Sequence, residues 1–118
     1  MARRTLNVHG ELTEAAFQTQ VLQLAGYYGW RAYHTHDSRR SQPGFPDLFL
    51  VRGDEAIAAE LKTEKGRVKP EQHEWLAALE LVAGIETFIW RPSDFDDMHA
   101  RLAQGRHQST PIYRTETA

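Results

Sequence analysis

Cysteine is absent from the 118 residues, which excludes a disulfide scaffold and thiolate metal sites and suits the cytoplasm. No apolar run approaches the roughly 20 residues that a membrane span needs. The charged start Met-Ala-Arg-Arg-Thr-Leu has no apolar stretch behind it, so no secretory leader is expected. Internal repeats and low-complexity tracts are missing. So is a large charge of one sign, the formal net charge being −2. What is present is the composition of a soluble globular protein, 41% apolar and 25% charged. The length suits one domain with one core, over 1–118, and not two.

The charges are unevenly spread. Residues 31–69 carry eight Lys/Arg against six Asp/Glu, whereas residues 71–118 carry four against eight. The basic side chains are Arg31, Arg39, Arg40, Arg52, Lys62, Lys65, Arg67 and Lys69. Such a patch can follow a phosphate backbone, and it can equally be a solvated surface.

Along the chain, Thr13 is placed to cap a helix that runs to about Tyr28 and closes at Gly29. Helical spacing puts Phe17, Val21, Leu24 and Tyr28 on one arc. Residues 30–35 alternate as a strand, and residues 37–44 form a polar, Arg-rich loop. A hairpin follows, with apolar runs Leu48-Phe49-Leu50-Val51 and Ala56-Ile57-Ala58-Ala59 around a turn at residues 52–55. Pro70 opens a second helix with Trp75, Leu76, Leu79 and Val82 at helical spacing, ended by Gly84. Residues 86–90 read as a fourth strand, and Ser93 is placed to cap a third helix whose first turn holds Asp94, Asp96 and Asp97. The spacing therefore predicts an α/β fold of order α-β-β-β-α-β-α, a small mixed sheet flanked by helices. The core spans about 12–105, and 106–118 is a loosely held tail apart from Ile112 and Tyr113. The crossover from Pro70 to Trp90 is long enough to return the last strand parallel to its neighbour.

Three carboxylates and one lysine stand where the core is expected. Glu60 and Lys62 are two apart on a strand and leave the same face, on which the small Ala56 and Ala58 leave room. Ile57, Ala59 and Leu61 occupy the core face. A hairpin brings the start of its first strand beside the end of its second, so Asp47 comes near Glu60. Two adjacent carboxylates repel, which raises a pKa or recruits a cation, and oxygen ligands favour a hard ion such as Mg²⁺ or Mn²⁺. On the first helix Glu14 falls about 20° from Val21, inside the apolar arc, with Gln18 about 40° to its other side. A plain Glu60–Lys62 salt bridge would account for those two residues but leaves Asp47 and Glu14 unexplained. His34 and His36 share a strand face without a third strong ligand nearby, so a zinc site is not expected. Trp30, Trp75 and Trp90 are read as core.

Pro46-Asp47 followed by Glu60-Leu61-Lys62 resembles the PD-(D/E)xK nuclease signature, which belongs to restriction-endonuclease-like cores. The segments "TEAAFQTQVLQLAGYYGW", "PGFPDLFLV", "AAELKTEKGRVKPEQHEWLAALELVAG" and "TFIWRPSDF" resemble, in order, the VRR-NUC (virus-type replication-repair nuclease) domain from about Leu12 to Phe95. The resemblance matches Glu14 to the family's helix-one acid, with Gln18 as the adjacent polar position. It matches Asp47, Glu60 and Lys62 to the strand residues, and Gln72 to the glutamine opening the next helix.

The resemblance implies Mg²⁺- or Mn²⁺-dependent hydrolysis of DNA, leaving a 5′-phosphate and a 3′-hydroxyl. Asp47, Glu60 and the backbone carbonyl of Leu61 would hold the cation, and Glu14 would bind a second metal or hold a metal-bound water. Lys62 would orient the attacking water or stabilise transition-state charge, and Gln72 would support Lys62 or that water. Arg39, Arg40, Lys65, Arg67 and Lys69 are candidate DNA contacts that position without reading sequence. With no appended reader of sequence, structure-selective cleavage is expected, of the Holliday-junction-resolvase kind. Branched DNA is then the partner, and a homodimer supplies one site per paired strand. The alternatives are a nuclease acting on flaps, ends or nicks, and a non-catalytic DNA-binding subunit.

Overall fold

The computed structural model describes residues 5–8, 10–35 and 42–105. Among them the order is α1 (Glu14–Tyr27), β1 (Arg31–His34), β2 (Leu48–Arg52), β3 (Glu55–Leu61), α2 (Pro70–Glu80), β4 (Ile85–Trp90), a 3₁₀ turn (Pro92–Asp94) and α3 (Phe95–Ala103). This is the predicted order with the short turn added. The tail from residue 106 lies outside the described residues.

The termini of α1 follow from local chemistry. Thr13 Oγ1 accepts the Ala16 N–H at 3.1 Å, satisfying a first-turn donor that has no partner inside the helix. Past the C-terminal end, Gly29 takes φ +87°, a region that favours glycine and turns the chain into β1. Phe17, Val21 and Ala25 are fully buried, while Leu24 and Tyr28 pack at the margin of the core.

The four strands lie in the order β1-β2-β3-β4, antiparallel except for the parallel β3–β4 pair. A two-residue turn, Gly53-Asp54, joins β2 to β3 and fixes the register Arg52↔Glu55 through Leu48↔Ala59. That register places Leu48, Leu50, Ile57, Ala59, Leu61 and Trp90 on one face, where they join Phe17, Val21, Met98 and Leu102 of α1 and α3 in the main core. Truncating one of these buried Leu side chains to Ala would cost about 2–5 kcal/mol. Trp30 caps this core, its Nε1–H donating to the Leu102 carbonyl at 2.9 Å with the Arg52 guanidinium 4.2 Å above its ring. Trp90 stacks on Phe88, and Trp75 meets Phe45 edge-on at 5.0 Å between centroids.

The opposite face carries Phe49, Ala58, Glu60, Thr87 and Ile89, and α2 packs across its β3–β4 half. Here the structure departs from one expectation. Ala58 is fully buried, so its small side chain lets α2 approach the sheet and does not open space for a substrate. Among the described residues the β1–β2 half is left bare, with Tyr33 60% and Val51 40% exposed.

Two helix assignments also differ. The second helix ends at Glu80, so Val82 lies beyond it and is 49% exposed instead of buried. Ser93 is not the cap of the third helix. Asp94 Oδ2 accepts the Arg91 N–H at 2.8 Å and closes the 3₁₀ turn, while the Ser93 N–H donates to Glu64 Oε1 at 3.0 Å. Asp94 is the residue at the N-cap of α3, and it makes no side-chain cap bond to that helix.

Candidate active site

The β2–β3 register ends at Leu48↔Ala59, beside which Asp47 precedes β2 and Glu60 continues β3. The corner before β2 is held from β1: the Thr35 N–H donates to the Asp47 carbonyl at 3.0 Å and the Thr35 hydroxyl to the Pro46 carbonyl at 3.2 Å. Asp47 Oδ2 in turn accepts the Leu61 N–H at 2.9 Å, which ties the carboxylate to the end of β3. Asp47 is thereby fixed at both its main chain and its side chain.

Glu60 is the one buried charged residue among those described, at 2% exposure. Its Oε2 accepts from Gln72 Nε2 at 2.8 Å and lies 3.6 Å from Lys62 Nζ. Its Oε1 is buried without a hydrogen-bond donor. Burial above all, and then the negative charge of Asp47, pushes the Glu60 carboxyl up to about 8, against the opposing pull of Lys62. A hydrogen bond with the Asp47 carboxyl and the charge of Glu14 act in the same upward direction. Two carboxyl groups facing each other can share a bond only through something positive between them, a proton or a cation.

Glu14 stands at the start of α1 and is exposed, not turned into the core as its place in the helical arc suggested. Partial loss of water and the nearby Asp47 still raise its pKa, again opposed by Lys62. Gln18 is half-buried and does not border the cleft.

Gln72 sits in the first turn of α2 and works with both ends of its amide. Its Oε1 accepts the Lys69 N–H at 2.8 Å, capping the helix, which leaves Nε2 to donate to Glu60. The amide therefore supports Glu60, whereas the sequence pointed to Lys62 or a water.

Glu14, Asp47, Glu60, Lys62, Lys69 and Gln72 line one open cleft of about 420 Å³ together with Pro43, Gly44 and Glu71. All five expected catalytic side chains thus border one space. Of the expected DNA contacts, Lys69 borders the cleft; Lys65 and Arg67 are exposed on the loop before α2 and do not. Arg39 and Arg40 lie outside the described residues. Sequence reasoning missed Gly44 and Glu71. Gly44 has φ +90°, and a Cβ there would stand 2.5 Å from the Glu71 carbonyl oxygen. The signal was present in Pro43-Gly44-Phe45-Pro46, a turn that permits close backbone approach; Glu71 carried none beyond a first-turn acid.

The donor set suits a hard divalent cation. It offers the neighbouring Asp47 and Glu60 carboxylates, and Glu60 Oε1 is buried without a donor. Among the described residues no three His, Asp or Glu side chains form a ligand cage. Two carboxylates and an open cleft match an ion that keeps several waters, as Mg²⁺ does.

The model of the VRR-NUC domain matches residues 3–89. No curated protein matches the sequence. Solved structures resemble the fold, two of them as follows. A VRR-NUC domain protein aligns with a TM-score of 0.59 at 20% identity, over 78% of this chain and 91% of its own. Hjc, a Holliday junction resolvase from the archaeal hyperthermophile Archaeoglobus fulgidus, aligns with a TM-score of 0.50 at 22% identity, over 64% of this chain and 66% of its own. With its mixed four-stranded sheet, its flanking helices and a family match over most of its length, the chain belongs to the VRR-NUC domain family of nucleases.

Proposed function

We propose that this protein is a Mg²⁺- or Mn²⁺-dependent, structure-selective DNA endonuclease that cuts branched DNA as a Holliday junction resolvase does. The observation that carries the proposal is the buried Glu60 carboxylate, with one oxygen held by Gln72 and Lys62 and the other lacking a donor, in a cleft that Asp47 also lines. Asp47 and Glu60 would hold the cation, with the Leu61 carbonyl as a third oxygen and Glu14 at a second ion or its water. When bound, the cation supplies Lewis acidity toward the scissile phosphate and makes an attached water easier to deprotonate.

The chain's own groups do the rest. Lys62 Nζ stays near Glu60 and faces the cleft, where it can orient the attacking water or stabilise charge growing on a phosphate oxygen. Gln72 keeps the Glu60 carboxylate turned to present its free oxygen. Lys69 at the rim, with Lys65 and Arg67 on the loop before α2, would neutralise backbone phosphates without reading bases, and the sequence offers Arg39 and Arg40 for the same role. Paired strands at a junction call for two sites, so we propose a two-fold dimer.

The test is cleavage of a labelled four-way junction, a flap and plain duplex by the purified protein with Mg²⁺ or Mn²⁺. Preferential, symmetric cutting of the junction is expected. Equal cutting of plain duplex would overturn the junction assignment, and binding without cutting would favour the DNA-binding subunit.

A further inference from the structure

Arg91 directly follows β4, and among the described residues its guanidinium makes no ion pair with a carboxylate. Its Nη1 instead donates to three main-chain carbonyls: Thr63 at 2.7 Å, Glu64 at 3.2 Å and Gly66 at 2.7 Å. All three belong to the turn that leaves β3 immediately after Lys62. Carbonyl oxygens converging on one guanidinium are a strong local restraint, because each bond is charge-assisted.

The same junction braces the turn a second time. The Ser93 N–H donates to Glu64 Oε1 at 3.0 Å, and Asp94 holds the Arg91 N–H at 2.8 Å. Within the turn the Gly66 N–H donates to the Thr63 carbonyl at 3.1 Å. The turn passes close to the lysine stem: a Cβ built on Gly66 would stand 2.8 Å from Thr63 Oγ1 and 3.5 Å from Lys62 Cδ. On its other side the Lys62 main chain is fixed, its N–H donating to the Trp90 carbonyl at 3.0 Å. The residue next to Trp90 is Arg91, so one short stretch of chain fixes both the Lys62 backbone and the turn behind its stem.

We infer that Arg91 is a positioning residue: it organises the 63–66 turn so that the turn backs the Lys62 stem and aims Nζ at the cleft. This inference rests on the nuclease reading above and adds to it a residue outside the signature. Release of the turn would therefore loosen the aim of Lys62. A long lysine with an unsupported stem samples several rotamers, and a displacement of about 1 Å at a reacting group can lower a rate about 100-fold.

The experiment compares wild type with R91M and R91K. R91M keeps the stem and removes the charge, while R91K keeps a cation with three donors at the same hub. Backbone hydrogen exchange over residues 63–66 is read by mass spectrometry, alongside single-turnover cleavage of the junction and DNA affinity across a salt series. In R91M the turn is expected to exchange about 10-fold faster or more, and the cleavage rate at saturating enzyme to fall about 10- to 100-fold. The salt slope of DNA binding should stay unchanged, and R91K should recover much of both losses. An unchanged exchange rate, or an unchanged saturating cleavage rate, would overturn the inference. So would a loss confined to affinity with the salt slope reduced by about 1, which marks a direct phosphate contact. Wild-type protein that binds but does not cut would sink the nuclease reading and the catalytic half of this inference, while the exchange measurement would still decide whether Arg91 holds the turn.

Discussion

Gln72 donates from Nε2 to Glu60 Oε2 at 2.8 Å while its own Oε1 is held by the Lys69 N–H at 2.8 Å. The helix cap thus decides which end of the amide meets the buried carboxylate. Gln72→Glu can still accept from Lys69, but it sets a further acceptor against Glu60. Activity is expected to fall about 10- to 100-fold, the usual cost of losing the group that orients a metal-binding side chain. Gln72→Ala removes the donor without adding charge and should lose less. Single-turnover cleavage of the two variants measures the order, and an equal or reversed ranking would count against the pairing.

The raised Glu60 carboxyl makes stability depend on pH. Below its ordinary value of 4.5 the group is protonated in both folded and unfolded chains, and above about 8 it is ionised in both. Between those limits the folded protein keeps a proton that the unfolded chain has lost, so stability falls as pH rises across the window. A divalent cation replaces that proton, so its stabilising effect should grow over the same range. Urea midpoints between pH 5 and 8 with EDTA should decline, and those with Mg²⁺ should decline less. E60Q should show neither the slope nor the cation effect in this window. Parallel curves with and without Mg²⁺ would contradict the assignment.

Gly44 is a contact point between the loop before Asp47 and the helix that carries Gln72. With φ +90°, and with a built Cβ 2.5 Å from the Glu71 carbonyl oxygen and 2.6 Å from its carbon, any side chain meets backbone that cannot rotate away. Gly44→Ala is expected to cost about 1–3 kcal/mol in a urea titration and to reduce cleavage as well, because α2 must shift. A change within a few tenths of a kcal/mol would show that the loop and helix are not clamped there.

The period of two along a strand placed Glu60 and Lys62 on one face, and the hairpin register placed Asp47 near Glu60, so the heart of the site was legible in the sequence. What depended on the packing of whole elements was not. Ala58 was read as open space because a strand pattern does not say that α2 covers that half of the sheet. Glu14 was turned inward because azimuth on a helix ignores position along it, and a first-turn residue extends past the surface its helix covers. Gln72 was given to Lys62 or the attacking water because only the seating of α2 brings its amide to Glu60. Arg91 left no sequence signal at all, since its three acceptors are main-chain carbonyls some 25 to 28 residues earlier in the chain.

The most direct test of the central claim, that Asp47, Glu60 and Lys62 form a cation-dependent centre for phosphodiester cleavage, is single-turnover cutting of a four-way junction. Wild type, D47N, E60Q and K62M are compared with Mg²⁺ and with EDTA, and DNA affinity is measured beside each rate. Cutting by wild type with Mg²⁺ alone is expected, with each variant losing at least about 100-fold in rate while binding the junction within a few-fold of wild type. Cutting by wild type in EDTA, or by any of the three variants at the wild-type rate, would contradict it.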